Sequence, residues 1–382
     1  MKLSESLRGH LINPDRDSIG CGGGCMKSVL QACAYAAEYA GNFIASLTEL
    51  EKELNKIGYN VIYCFPERAA GKNWCEKIRK RTKVYFLPEA KARILPKTYR
   101  IFRRIYKENE IAVLHSHFEL YDMPATLTAP RNVKCFWHLH DPLTLSGTNR
   151  DLLWKIQYGK VGKRATLISV ADYYRRFVIS LGFPEEQTCV LRNGIDLERI
   201  KTESVRSEKK YDFLTFGWDF HRKGDDLILQ ACDRLWKDGY RFKILLNGNE
   251  KTWGPLEEYL EGRVPEYLER ENPKENVSEL FEEARVFIQA SRRETFSYAV
   301  CEAAYAGLPV ICSDIPGVEW AHDIESVIFF ESENADDLYH QMKSFLDGKK
   351  LENHTIEKSI EKISELYSLY CWAQKILNIY NC

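Results

Sequence analysis

The chain has 382 residues, enough for two domains with separate cores. Its 54 Lys and Arg nearly balance its 55 Asp and Glu, so no global basic charge argues for nucleic acid as a partner. No apolar run reaches the length of a bilayer span, and the 12 cysteines are scattered in the manner of reduced cytosolic thiols rather than of a disulfide framework.

Residues 1–25 are polar, glycine-rich and aperiodic, and read as a segment disordered or foreign to the natural product, with the fold beginning at Met26. Cys21 and Cys25 flank three glycines and lack the further partners that a metal site needs; a flexible lead-in is the plainer reading. From there short apolar runs alternate with longer helical patterns. Strands are expected over 28–34, 60–65, 84–87, 112–115, 134–138 and 166–170, with a helix over 43–57 stopped by Gly58. β-branched and aromatic runs separated by helices argue for a parallel sheet covered on both faces. The charged, apolar-poor stretch 200–210 reads as a linker. A second series follows, with strands expected over 211–216, 243–246, 286–289, 309–311 and 327–330. The tail 356–380 is expected as one helix, with Ile360, Ile363, Leu366, Leu369 and Tyr370 at helical spacing. The division expected is a first domain over 26–205, a second over 206–355, and a C-terminal helix over 356–382.

Several segments carry residues suited to chemistry. Residues 291–317 put Glu294 and Glu302 around a helix start, whose unpaired N–H groups and partial positive charge suit a phosphate. Eight helical steps span roughly 12 Å, about the reach from ribose to sugar across a diphosphate, and carboxylates accept hydrogen bonds from the hydroxyls at either end. Residues 216–224, Phe-Gly-Trp-Asp-Phe-His-Arg-Lys-Gly, follow a strand and offer Gly217, Arg222 and Lys223; a solvated basic turn is the bland alternative. His140 lies just beyond a strand end, where ligands bind in open α/β sheets. His138 is expected on the opposite face of that strand, and His117 ends another. Gly41-Asn42 marks the loop after the first strand, and Asn193-Gly194 a turn before the linker.

The 291–317 segment, from Ser-Arg-Arg-Glu294 through Glu302-Ala-Ala-Tyr-Ala-Gly-Leu-Pro-Val-Ile, resembles the E-x7-E region of the retaining, family 4 glycosyltransferases. One departure stands out: the family's usual Glu-Gly-Phe-Gly is here Glu294-Thr295-Phe296-Ser297. The resemblance implies the α/β GT-B fold, two Rossmann-like domains facing across a cleft, with the last helix crossing back to the first. It implies that Glu302 holds the ribose and Glu294 the sugar hydroxyls, with Thr295, Phe296 and Ser297 beside the phosphates. Lys223 would offset charge on the departing diphosphate. Arg222 stands in for the family's arginine, whose usual place is held by Trp218. His140 would lie against the transferred sugar, and Gly41, with Gly217, would border the donor.

No metal and no cofactor is expected. The implied activity is hexosyl transfer from a nucleotide-diphosphate sugar to a glycan or lipid-linked acceptor in cell-surface polysaccharide or glycolipid synthesis. A cytoplasmic place follows, with peripheral contact to the inner membrane face through the basic side formed by Arg100, Arg103, Arg104 and Lys107. The same helix could equally be a solvated one packed on the sheet. A catalytically degenerate partner subunit and a sugar-nucleotide epimerase of the same fold remain alternatives. An NAD-linked enzyme does not fit, because no Gly-x-Gly-x-x-Gly follows the first strand.

Overall fold

The computed structural model describes residues 27–141, 148–202, 209–274 and 276–381. The segment 1–25, Pro142 and positions 203–208 of the expected linker lie outside the described residues.

Two parallel sheets organise the chain. The first contains β1 (Ser28–Cys33), β2 (Asn60–Pro66), β3 (Val84–Leu87), β4 (Ile111–His117), β5 (Lys134–Leu139), β6 (Ala165–Ser169) and β7 (Thr188–Val190), in the order β3-β2-β1-β4-β5-β6-β7. The second contains β8 (Tyr211–Phe216), β9 (Ile244–Asn247), β10 (Leu268–Glu271), β11 (Ala284–Gln289), β12 (Val310–Asp314) and β13 (Val327–Glu331), in the order β10-β9-β8-β11-β12-β13. All six residues of β1 are buried, because helices cover both faces of its sheet. The Gly41–Lys56 helix turns Leu47, Leu50 and Leu54 onto one of them. Strand order reverses between β1 and β4 and again between β8 and β11. A crevice opens at such switch points, and the loops after these four strands supply most of the site described below. The architecture is the GT-B arrangement expected from the sequence.

Two strands escape the sequence pattern. β7 is a three-residue edge, and β10 reads Leu-Glu-Arg-Glu, whose charges suit an unpaired sheet edge but give no strand signal. The tail is also not one helix. It breaks at Ser368, in extended geometry (φ −62°, ψ 152°), into helices Asn353–Tyr367 and Leu369–Asn381. The backbone N–H of Ile195 donates to the Tyr367 carbonyl at 2.7 Å across this break. Ile363 and Tyr367 stay in the second domain's core with Phe296 and Val300. Trp372, Ala373, Ile376 and Tyr380 join the first domain's core with Leu47 and Leu50. Each half therefore carries its own buried face, and the apolar periodicity runs on through a break that neither Pro nor Gly marks. Gly194 allows the crossing: a Cβ there would stand 2.8 Å from Trp372 Cβ.

Candidate functional site

A cleft of about 910 Å³ lies between the two sheets. From the second domain it receives Lys223, Arg222, Glu294, Thr295, Ser297 and Glu302, and from the first Gly41, Asn42, His140 and Asp141.

Lys223 ends a single helical turn, Phe220–Lys223, started by Asp219, whose side chain accepts from the Arg222 backbone N–H at 3.4 Å. Its ammonium donates to Glu294 Oε1 at 2.6 Å. The same oxygen accepts from Gln289 Nε2 and Ser291 Oγ, each at 2.9 Å, with the Arg222 guanidinium 3.6 Å away. Burial alone would push the Glu294 carboxyl up. Lys223, then Arg222 and the Ser291 hydroxyl, outweigh it and hold the group below its ordinary range. Glu294 is thus an anion whose Oε1 is fixed, and it positions the lysine. Its backbone is equally constrained, since Gly317 sits at φ +99° where a Cβ would meet the Glu294 carbonyl at 2.2 Å. The Tyr174 hydroxyl, from the first domain, donates to that carbonyl at 3.3 Å.

The helix Tyr298–Tyr305 begins at the cleft and carries Glu302 on its second turn. Glu302 is buried, which pushes its carboxyl up; a hydrogen bond from Asn42 Nδ2 at 2.8 Å opposes this. Asn42 Oδ1 in turn accepts from the Asp196 backbone N–H at 2.9 Å, so one side chain ties the start of the Gly41–Lys56 helix to both the Tyr298–Tyr305 helix and the connecting segment. Sequence reasoning noted Gly41-Asn42 as a loop and gave Asn42 no partner; the partner is 260 positions away. Ser297 precedes the helix at φ +61°, the left-handed region, and its buried Oγ has no partner among the described residues. That conformation suits glycine, the residue that the resembled Glu-Gly-Phe-Gly motif has there. Thr295 is not in a left-handed conformation and tolerates a side chain. The Phe296 ring packs against Trp320 at 4.8 Å and serves as a core anchor.

Two expectations need correction. Gly217 does not line the cleft; its missing side chain makes room for Asp225, whose Oδ2 would lie 2.3 Å from a Cβ. Gly41 does line it, and its φ of +56° is the reason for a glycine there, since a Cβ would come no nearer than 3.7 Å to the Tyr35 hydroxyl. His138 does not face away from His140. Residues two apart share a strand face, and the two rings stack with centroids 4.0 Å apart. His140 is held by His117, with Nε2 2.9 Å from His117 Nδ1, and by a hydrogen bond to Asn193. Burial pushes it down to about 3, so it is a neutral imidazole. Trp218 presents a partly exposed indole, stacked 6.1 Å from Phe216, with Nε1 donating to Asn247 Oδ1 at 3.2 Å.

These features define a two-domain scaffold with a helix start and paired carboxylates at its cleft. The family "Glycosyltransferase Family 4" matches residues 45–199, and "Glycosyl transferases group 1" matches residues 196–362. The chain belongs to the family 4, group 1 glycosyltransferases. It is similar to the N,N'-diacetylbacillosaminyl-diphospho-undecaprenol alpha-1,3-N-acetylgalactosaminyltransferase of Campylobacter jejuni, at 24% identity over 231 residues, 56% of this chain and 59% of the relative. It is also similar to the putative colanic acid biosynthesis glycosyltransferase WcaL of Salmonella typhimurium, at 24% identity over 42% of this chain and 43% of that protein. The matches thus span less than two thirds of these curated relatives' length. Among solved structures, a glycosyltransferase from Rickettsia africae superposes with a TM-score of 0.76 at 14% identity, covering 93% of this chain and 98% of the other. HepE of Anabaena, solved with UDP and glucose, superposes with a TM-score of 0.73 at 12% identity, covering 93% and 99%.

Proposed function

We propose that this chain transfers a sugar, with retention, from a nucleotide-diphosphate sugar to a glycan or lipid-linked acceptor in cell-surface polysaccharide synthesis. The observation that carries the reading is the convergence of Lys223, Glu294 and Glu302 with one helix start on a single cleft at both switch points. The donor lies on the domain 206–355 and the acceptor on the domain 26–205. Glu302 accepts from the ribose hydroxyls, and Glu294 offers its second oxygen to the sugar. The bond from the anomeric carbon to the diphosphate oxygen breaks, with its electron pair passing to that oxygen. Lys223 and the helix start stabilise the charge, with Arg222 beside them. The acceptor oxygen bonds to the anomeric carbon from the same side, and its proton passes to the departing diphosphate. His140, neutral, sits where it orients the sugar. HepE's bound UDP and the lipid-linked substrate in the Campylobacter relative's name support this assignment of donor and acceptor classes.

No helix among the described residues is long and apolar enough to cross a membrane. Arg100, Arg103, Arg104 and Lys107 are exposed on the Pro96–Glu108 helix while Phe102 and Ile105 are buried. This supports peripheral docking on anionic lipid, with the active site at the inner face of the membrane. A thermal-shift panel of nucleotide sugars, followed by product analysis, tests the function. One donor class is expected to raise the melting temperature and to be consumed only with acceptor. Stabilisation by none would favour a degenerate partner subunit, and conversion of donor alone would favour an epimerase.

A further inference from the structure

Behind His140, at the carboxyl ends of β4 and β5, three more histidines are buried together. His115, His117 and His138 are at most 1% exposed. The ring centroids of His115 and His117 are 4.1 Å apart, and those of His115 and His138 5.3 Å apart in parallel planes. One nitrogen from each of the three lies within 4.8 Å of the others. Ring nitrogens in such a place are normally hydrogen-bonded. Here His115 Nε2 and both nitrogens of His138 have no partner among the described residues.

The partners that do exist bear on which ring nitrogens carry hydrogen. His117 Nε2 lies 2.8 Å from Gln31 Oε1. An amide oxygen only accepts, so Nε2 carries the hydrogen and Nδ1 keeps its lone pair. His115 Nδ1 lies 2.7 Å from the Tyr380 hydroxyl, which both donates and accepts; in the tautomer that carries the hydrogen on Nδ1, Nε2 is bare. A ring whose far N–H is held by an oxygen is the arrangement of a metal-ligating histidine and its supporting partner.

We propose that His115, His117 and His138 form a binding site for a divalent transition metal of the zinc class. Three neutral imidazoles suit such an ion. Bonds of about 2.1 Å in tetrahedral geometry place ligand nitrogens about 3.4 Å apart, so the rings close inward by about an ångström. The site joins β4 and β5 and is braced from β1 by Gln31 and from the Leu369–Asn381 helix by Tyr380. Without metal, His140 Nε2 donates to the His117 Nδ1 lone pair at 2.9 Å; metal and His140 compete for that nitrogen. The ion therefore sits one layer behind the cleft, away from the donor phosphates, and serves the fold and the setting of His140. The proposal does not depend on the transfer reaction.

The test uses the full untagged chain, stripped with chelator and titrated with Zn²⁺ or Co²⁺. Retention of one zinc per chain by elemental analysis is expected, with a raised melting temperature and, for Co²⁺, visible absorption bands typical of tetrahedral nitrogen ligation. His138→Ala and His115→Ala should lose retention, His322→Ala should keep it, and His140→Ala should bind more tightly because the competing hydrogen bond is gone. Failure of the wild-type chain to retain zinc or to shift its melting temperature would overturn the proposal. So would equal retention by His138→Ala, or a Co²⁺ spectrum no different from that of the aquo ion; the spectrum is read on the wild type and so decides even where a variant fails to fold.

Discussion

Ser297 holds a left-handed backbone at some cost. Its φ of +61° is sterically unfavourable for any residue with a Cβ, by about 1–2 kcal/mol. Ser297→Gly should relieve that, less the extra freedom glycine gains when unfolded. A net stabilisation of about 0.5–1 kcal/mol in urea denaturation is expected, and a loss of stability would mean that the buried Oγ has a partner. Residues whose role depends on a local motif were legible in the sequence: Glu294, Glu302 and Lys223 stand at fixed distances from a strand end or helix start, and all three reach the cleft. Asn42 was not legible as a clamp on Glu302, because hydrogen-bond pairing across two domains leaves no spacing signature. The shared face of His138 and His140 could have been read from strand alternation alone.

Among the elements, the crossing helix Leu369–Asn381 carries the most leverage. Trp372 is 3% exposed and packs on the Gly194 turn. Trp372→Ala leaves a large cavity between the connecting segment and the first domain, and a destabilisation of about 3–5 kcal/mol by urea denaturation is expected. A cost below 1 kcal/mol would mean that the helix is not part of that core. The strands with continuous apolar runs were readable nearly to the residue, as at 84–87 and 211–216. The edges β7 and β10 were not, since an edge strand is shaped by what it must avoid pairing with. The Pro96–Glu108 helix tests the membrane reading. Each cation near an anionic surface contributes about 1 kcal/mol. Reversing Arg100, Arg103, Arg104 and Lys107 to Glu should lower binding to phosphatidylglycerol vesicles roughly a hundredfold or more in a flotation assay. Unchanged binding, or none by the wild type, would leave this a solvated helix.

For the molecule as a whole, stability should carry a pH slope from Asp122. It is buried, which pushes it up to about 7, against a 2.6 Å hydrogen bond from Ser116 and the charge of Arg93. A carboxyl whose folded pKa lies above its unfolded value favours the folded state while protonated. That contribution is complete below about pH 4 and is lost as pH rises through about 7. Asp122→Asn should remove the slope, so that relative to wild type it gains up to roughly 4 kcal/mol between pH 4 and pH 8, at about 1.4 kcal/mol per unit. Parallel stabilities of the two proteins across that range would contradict the burial of this group as an acid.

The proposed transfer requires that the cleft neutralise a diphosphate through Lys223. Calorimetric titration with the nucleoside diphosphate of the accepted donor, and with the matching nucleoside, tests it on the wild type and on Lys223→Ala of equal melting temperature. Loss of a charge-assisted hydrogen bond of about 1.5–3 kcal/mol predicts roughly ten- to a hundredfold weaker binding of the diphosphate, with the nucleoside unaffected. Equal diphosphate affinity in the two proteins would contradict it.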